Sequence, residues 1–410
     1  MTSASASPRR ILLADADAFY CAVARMVDPD GAGKAKFLIV GGTRESRGVV
    51  CSASYEARKF GVRSAMPIAR ALRLCPQATC VPIPRRACSE KSREIRTVLE
   101  KFSPVVEGAS IDEWYLDLGG TEGVYGHEPL AATARRIREA VTALTRLSVS
   151  LGGGTSKLVA KLAVERAKPK PGTTATGVHV VEPGDEQDFL NTFDLADIPL
   201  VGPRFQERLA KLGMRRVTDV LPYEIPTLAQ WLSQREAEWL YARVRGVDAR
   251  EVESHGDAKS ISRDETFAVD IASDDELGRE LLALTTRAAS DLRADGLTAR
   301  TVTVRLRDFD FKTRSASRTL DAPVISDRVI LEVGRQLLAK LREKRRVPAR
   351  LLGVALSSLA ADSTADQIAL FELADERVAE TNRDRVLART VDRVRAKFGD
   401  RGILPARLID

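Results

Sequence analysis

The sequence predicts an α+β protein of several domains. Short apolar runs of strand length alternate with stretches of helical periodicity, the pattern left by strands and helices that share a layered core. Clusters of glycine and proline interrupt that pattern and mark the edges of elements. The 410 residues also exceed what one ordinary core covers, so the chain divides into about two to four domains.

The elements follow in order. Ile11 to Ala14 is apolar throughout and predicts a buried strand that runs into Asp15. Lys36 to Gly42 and Gly48 to Ser54 predict two further strands, and Tyr55 to Phe60 a short helix stopped by Gly61. Glu90 to Lys101 is an amphipathic helix with Ile95, Val98, Leu99 and Phe102 on one side. Ser110 to Leu118 is a strand closed by Gly119-Gly120, and Leu130 to Leu144 a helix. Leu147 to Leu151 is a strand leading into Gly152-Gly153-Gly154, which reads as a strand-to-helix turn with Lys157 near a bound strand end. That triplet lacks the spacing of a phosphate loop, since Leu158 follows Lys157. Lys168 to Thr174 is a breaker and a domain edge.

Phe189 to Arg245 is mainly helical, and 246–258 is polar and aperiodic, as a linker is. Beyond it, Thr301 to Leu306 and Leu351 to Leu356 predict strands, with helices over Asp275 to Leu292 and Ser326 to Arg342. These form a separate small α/β domain. A last helix carries Leu387, Val391, Val394 and Phe398.

Composition narrows the function classes. Hydrophobic residues make up 44% of the chain, and no apolar run approaches the roughly 20 residues of a membrane span. The polar N-terminus lacks a signal-peptide core, so a cytoplasmic protein is expected. Cys21, Cys51, Cys75, Cys80 and Cys88 form no C-x-x-C pair, and the histidines are scattered; buried thiols are expected rather than a disulfide framework or zinc site. Lys and Arg exceed Asp and Glu by 64 to 57, a formal charge of +7, which favours a polyanionic partner.

Two acidic segments carry the chemistry: Ala14-Asp15-Ala16-Asp17-Ala18-Phe19-Tyr20 and Ser110-Ile111-Asp112-Glu113-Trp114-Tyr115-Leu116-Asp117. Phosphoryl transfer uses hard cations held by carboxylate oxygens, and carboxylates brought together from two strands make such a site. A solvated turn is the ordinary explanation of a lone Asp-Glu pair, but both segments sit in apolar strand contexts. With Ala53-Ser54-Tyr55-Glu56-Ala57-Arg58-Lys59-Phe60-Gly61-Val62 between them, the chain resembles the Y-family DNA polymerases of the bacterial DinB branch along nearly its whole length.

That resemblance implies a right-hand polymerase. The palm spans 8–18 and 85–175, the fingers 19–84, and a helical thumb with a helix-hairpin-helix 176–245. A linker over 246–258 leads to an α/β little finger over 259–360, and 361–410 is a tail with a clamp-binding motif and terminal helix. It implies that Asp15, Asp112 and Glu113 are catalytic and, with the Ala16 carbonyl, bind two Mg2+ ions, for which Mn2+ can substitute. Adjacent strand residues face opposite ways, so Asp112 and Glu113 serve one site only if the strand bends there. Asp17 and Asp117 are expected to make local hydrogen bonds instead.

By the same resemblance Tyr20 is a steric gate against the ribose 2′-hydroxyl, and Ser52, Tyr55, Arg58 and Lys168 contact the incoming nucleotide's phosphates. Arg suits that task through its planar fork. The chain departs from the family pattern after Lys168-Pro169, where Lys170-Pro171 intervenes. Cys51 and Ala65 form the roof over the nascent base pair. Val201 and Gly202 belong to the hairpin whose backbone amides meet DNA phosphates, although Leu200 stands where a glycine is usual. Arg305, Arg307, Arg314 and Arg318 are expected to line one strand face along the duplex. Gln367, Leu370 and Phe371 resemble the peptide that docks in the bacterial sliding clamp.

The implied reaction is template-dependent addition of dNTPs to a primer 3′ end, with low fidelity, lesion bypass and no proofreading. The implied partners are primer-template DNA, dNTPs and the β clamp, with no membrane, and the chain acts as a monomer associated with the nucleoid. The alternatives are a catalytically silent DNA- and clamp-binding accessory protein of the same fold and a phosphate-hydrolysing metalloenzyme. Retention of all three carboxylates argues against the first; the gate, finger cations and clamp peptide argue against the second.

Overall fold

The computed structural model describes residues 8–43, 47–169, 175–254, 256, 258–362, 379–399 and 402–408. The chain forms two compact units that divide after Gly256.

The first unit opens with β1 (Ile11–Ala16), α1 (Phe19–Val27), β2 (Leu38–Gly41), β3 (Val50–Ala53), α2 (Tyr55–Arg58), α3 (Ile68–Leu74), β4 (Thr79–Pro82) and α4 (Arg85–Leu99). It continues with β5 (Val105–Gly108), β6 (Glu113–Asp117), α5 (Leu130–Thr145), β7 (Val149–Gly154), α6 (Lys157–Ala167) and β8 (Val178–Val180). A helical lobe then comprises α7 (Glu186–Leu190), α8 (Pro203–Lys211), α9 (Val217–Val220), α10 (Ile225–Leu228) and α11 (Gln234–Val244).

A five-stranded sheet in the order β5-β6-β1-β7-β8 is the centre of this unit, with β1 antiparallel to both neighbours. Because β1 is buried on both faces, its sequence is a continuous apolar run and not an alternation. Leu12, Ala14 and Ala16 pack with Ile95 and Leu99 of α4 and Ile137 and Val141 of α5. Ile11 and Leu13 face Ala160 and Val164 of α6. Asp15 shares the parity of Ile11 and Leu13 and so lies on the α6 side.

The Gly152-Gly153-Gly154 triplet lies inside β7 and not in a turn after it. A Cβ on Gly152 would stand 2.1 Å from the Val164 nitrogen and 2.3 Å from the Ala160 oxygen. The bare backbone is what lets α6 lie flat against the sheet. The turn itself is made by Thr155 and Ser156, whose side chain accepts from the Val159 amide and starts α6.

A smaller sheet, β3-β2-β4, packs with Ala57 of α2 and Ile68 and Ala71 of α3 into a separate core. The helical lobe has its own core around Leu190, Leu209, Val217, Leu228 and Leu240.

The segment expected as a linker is docked on this unit as far as Ser254. Val252 is buried with Ile11, Leu13 and Tyr115. The Asp248 side chain is buried between Arg243 and Arg250, each 2.7 Å away. An extended chain anchored residue by residue has no periodicity, which is why its sequence resembled a free linker.

The second unit comprises β9 (Ser260–Ile271), α12 (Asp274–Ala294), β10 (Leu297–Asp308), β11 (Thr313–Val324), α13 (Asp327–Lys344), β12 (Ala349–Ala361) and α14 (Asn382–Phe398). Its sheet is antiparallel throughout, in the order β11-β10-β12-β9. One face packs Val302, Val304, Leu306 and Leu352 against Leu281 and Leu284 of α12 and Val333 and Leu337 of α13. α14 docks on the same pair of helices: Arg293, 4% exposed, meets Asp392 at 2.6 Å, and Arg328 meets Asp384 at 2.8 Å. Among the described residues no helix is long and apolar enough to cross a membrane.

Candidate active site

The β1–β6 ladder sets Asp15 directly opposite Glu113. Both carboxylates lie at the ends of their strands on the face covered by α6, because Asp15 continues the row of Ile11 and Leu13, and Glu113 the row of Tyr115. Asp112 would face away if β6 ran straight through it. The strand instead begins at Glu113, and Asp112 lies in the bend before it. Its carbonyl accepts from the Ala16 amide at 2.9 Å, and its carboxylate accepts from the Ser110 hydroxyl at 2.5 Å. The required bend is therefore present.

Each of the two ladder carboxylates holds a lysine of the α6 segment. Lys161 stands 2.5 Å from Glu113, and Lys168 2.8 Å from Asp15 and 2.6 Å from Glu165. Asp15 is 6% exposed. Burial is the largest influence on it and pushes its carboxyl up to about 7, Lys168 pulls the other way, and Glu113 adds to the rise. Burial works to lower Lys168, but Asp15 and Glu165 outweigh it and hold its ammonium above the usual value. Among the described residues no three His, Cys, Asp or Glu groups enclose an ion by themselves. The donors nevertheless suit a hard divalent cation: they are oxygens, and the positive charge they attract is now supplied by two ammonium groups.

Of the other acids, Asp117 makes the local bond expected, and Asp17 is held across the sheet at the start of β7. Asp17 accepts from the hydroxyls of Ser148 and Ser150, each at 2.7 Å, and Asp117 from the Gly119 amide at 2.9 Å. Tyr20 lies in the first turn of α1, and burial followed by the nearby Asp112 raises its phenol above the ordinary value.

Tyr55 and Arg58 share α2, with the guanidinium 5.2 Å from the ring centroid and its Nε donating to the Ala53 carbonyl at 2.9 Å. Burial, and then Asp17, raise the Tyr55 phenol, so this helix lies within the field of Asp17 and Asp15 at the end of β1. Ser52 is buried, and its oxygen accepts from the Cys21 thiol at 3.6 Å, leaving its own proton to donate. Ser64 donates to the Cys51 carbonyl at 3.1 Å and the Ala65 amide to the Val50 carbonyl at 2.8 Å, which places Cys51 and Ala65 side by side at the end of β3.

Two expectations need correction. Lys157 does not face an open strand end: it is 6% exposed, with Glu107 holding its ammonium by both oxygens at 2.6 Å. The four arginines of the second unit do not share a face. Arg305 and Arg307 lie on the open side of the sheet, but Arg314 and Arg318 pair in register with Leu306 and Val302 and face the helices. Arg314 is spent on Asp308 at 2.8 Å, and Arg318 on Gln336 of α13 at 2.8 Å. The open face of β11 carries Thr313, Ser315, Ser317 and Thr319 instead.

At the helical hairpin the Val201 amide donates to the Ile198 carbonyl and the Gly202 amide to the Leu200 carbonyl, each at 3.1 Å. Leu200 occupies the left-handed region at φ 75° with its side chain exposed, the backbone state expected where a glycine is usual. Gln367, Leu370 and Phe371 lie outside the described residues, as do Lys170 and Pro171.

Sequence reasoning missed Lys161 and Glu107. A signal for the first existed: Lys157, Lys161 and Lys168 recur at helical spacing beyond the glycine triplet.

Residues 14–165 match the impB/mucB/samB family, and residues 258–370 match the C-terminal domain of that family. A DNA polymerase IV of Desulfatibacillum aliphaticivorans is 36% identical over 400 residues, covering 97% of this chain and 96% of that one. A DNA polymerase IV of Halorhodospira halophila (strain DSM 244 / SL1) is 38% identical over 353 residues, 86% of this chain and 95% of that one. Among solved structures, a Y-family DNA polymerase chimera of Dbh and Dpo4 matches with a TM-score of 0.74 at 27% identity, covering 86% of this chain and 99% of that one. An insertion ternary complex of Dbh DNA polymerase matches at 0.60 and 27% identity, covering 85% of this chain and 98% of that one. With both family matches and the relatives running through the same carboxylate-bearing strands, the chain belongs to the impB/mucB/samB family, within the Y-family DNA polymerases.

Proposed function

We propose that this chain is a translesion DNA polymerase that adds dNTPs to a primer 3′ end by two-metal phosphoryl transfer, with low fidelity and no proofreading. The observation that carries the reading is the pairing of Asp15 with Glu113 across β1 and β6, with Asp112 in the adjoining bend. Asp15, Asp112, Glu113 and the Ala16 carbonyl would hold two Mg2+ ions, which when bound would lower the pKa of a primer 3′-oxygen and neutralise charge on the pyrophosphate.

The remaining residues bind and orient. Tyr20 packs under the sugar and excludes a 2′-hydroxyl. Ser52, Tyr55 and Arg58 hold the triphosphate, and Lys168 joins them by exchanging Asp15 for a phosphate oxygen. Cys51 and Ala65 present small side chains over the base pair, so a distorted base meets little resistance. Arg305 and Arg307 hold duplex phosphates; Arg314 and Arg318 do not, since they face the helices. The hairpin at Val201 and Gly202 approaches a phosphate only if the internal bonds of its amides open. Gln367, Leu370 and Phe371 tether the enzyme to the β clamp, and the chain acts as a monomer.

Primer extension on undamaged and lesion-bearing templates tests this. The full chain is expected to extend both with Mg2+, and Asp112→Ala to lose at least about 10³-fold of the rate. Extension retained by Asp112→Ala would remove the metal assignment. An unsubstituted chain that binds primer-template but does not extend it would favour an accessory protein of the same fold.

A further inference from the structure

Lys157 and Lys161 on α6, with Lys168 capping its C-terminal end, form one stripe, since offsets of four and seven residues return to nearly the same side of a helix. The three adjacent strands β5, β6 and β1 present Glu107, Glu113 and Asp15 to that stripe. The result is a ladder of three lysine–carboxylate pairs across one helix–sheet interface.

The three rungs differ in what else holds them. Lys157 also donates to the Glu251 carbonyl at 3.2 Å and lies 4.8 Å from the Tyr115 ring centroid, while Glu107 accepts from the Glu253 amide at 2.8 Å. That rung is held from both sides. Lys168 has Glu165 to keep it in place when Asp15 is withdrawn. Lys161, among the described residues, has Glu113 as its single ion-pair partner and acts on Asp15 only through its charge, and both side chains of this rung are about a quarter exposed.

We infer that Lys161 is a positioning residue that stands in for a metal ion. It holds Glu113 at the rim of the site in the metal-free chain and is displaced when a divalent cation takes that carboxylate. The inference rests on the proposal that Glu113 is a metal ligand. It has a sign that a packing role lacks: an internal competitor opposes the cation, so its removal tightens metal binding.

The test is a titration of the full chain with MnCl2, without DNA or nucleotide, reading free Mn2+ by electron paramagnetic resonance. Lys161→Gln is expected to bind Mn2+ about three- to tenfold more tightly, the scale of a partly exposed charge pair. Lys161→Arg is expected to match the unsubstituted chain, and Asp112→Ala to lose the binding. In EDTA, Lys161→Gln should melt at a lower temperature than the unsubstituted chain and recover on adding MnCl2, because Glu113 is left facing Asp15 without a counterion. Unchanged or weaker Mn2+ affinity in Lys161→Gln would overturn the inference while leaving the metal site standing. Tightening by Lys161→Arg equal to that of Lys161→Gln would overturn it too. An unsubstituted chain that takes up no Mn2+ would remove the metal reading and this inference together.

Discussion

The two units place charge at a helix–sheet interface in opposite ways. In the first, lysines of α6 meet carboxylates at the ends of β1 and β6, and the Lys161–Glu113 pair is about a quarter exposed. In the second, Asp308 of β10 is fully buried and held by Arg314 through two bonds at 2.8 and 3.2 Å, and by Arg345. An ammonium is a flexible point charge that can be exchanged for a metal ion; a guanidinium fork fixes two bonds at once. The first arrangement suits a site that must change partners, and the second suits a scaffold that must not. Burial alone does not separate the two arrangements, since Asp15 and Asp308 are both buried.

Removing one acid from each unit tests the contrast most severely. Asp112→Ala is expected to abolish extension while leaving the melting temperature nearly unchanged, since its carboxylate touches only the Ser110 hydroxyl among the described residues. Asp308→Ala should do the reverse in kind. It leaves two arginines facing an empty position in a core, which costs about 3–5 kcal/mol for a broken buried pair. Thermal melts of the full chain should show the loss in the transition of the second unit, with the first unit's melting unaltered. A stable Asp308→Ala would mean that the arginine network is ornamental and that the contrast is one of geometry alone.

The two arginine pairs sharpen the comparison on a smaller scale. Arg305 is exposed and pairs with Asp264 at 3.0 Å on the open sheet face. Arg305→Ala should weaken primer-template binding several-fold and reduce the slope of log affinity against log salt by about 1. Arg314→Ala should leave that slope alone and lower stability instead. Equal loss of salt slope in both variants would show that DNA reaches the helix-covered face.

What could be read from the sequence, and what could not, follows the same division. β1 and the two acidic motifs were legible because a carboxylate at the end of an apolar run is costly unless something holds it. The bend at Asp112 was legible as a requirement of strand alternation, and the structure provides it. Arg314 and Arg318 were misplaced because parity passes from strand to strand only through the register. The residues opposite Arg305 and Leu306 are Ser315 and Arg314, and no local pattern in β11 reveals that. The glycines of β7 were misread as a turn because their cause, the backbone of α6 lying against them, is a tertiary contact. The strands β4 and β5, four residues each like β2 and β3, were missed because they are buried less completely and so carry no apolar run to mark them.

The helical hairpin offers the smallest test and bears on exchange in a different form. Leu200 holds φ 75° with its side chain exposed, so it suffers the left-handed conformation and gains little burial in return. A non-glycine residue there costs about 1–2 kcal/mol, and glycine gives part of that back through the greater entropy of its unfolded state. Leu200→Gly is therefore expected to stabilise the first unit by about 0.5–1 kcal/mol, a rise of about 1–4 °C for a domain of this size. The same substitution should loosen the bond from the Gly202 amide to the Leu200 carbonyl and so free an amide for a phosphate. Primer-template affinity that rises along with the melting temperature would mark this turn as a place where fold and DNA compete for the same donors. A rise in stability alone would mean that the hairpin amides serve the fold and that the duplex is held elsewhere.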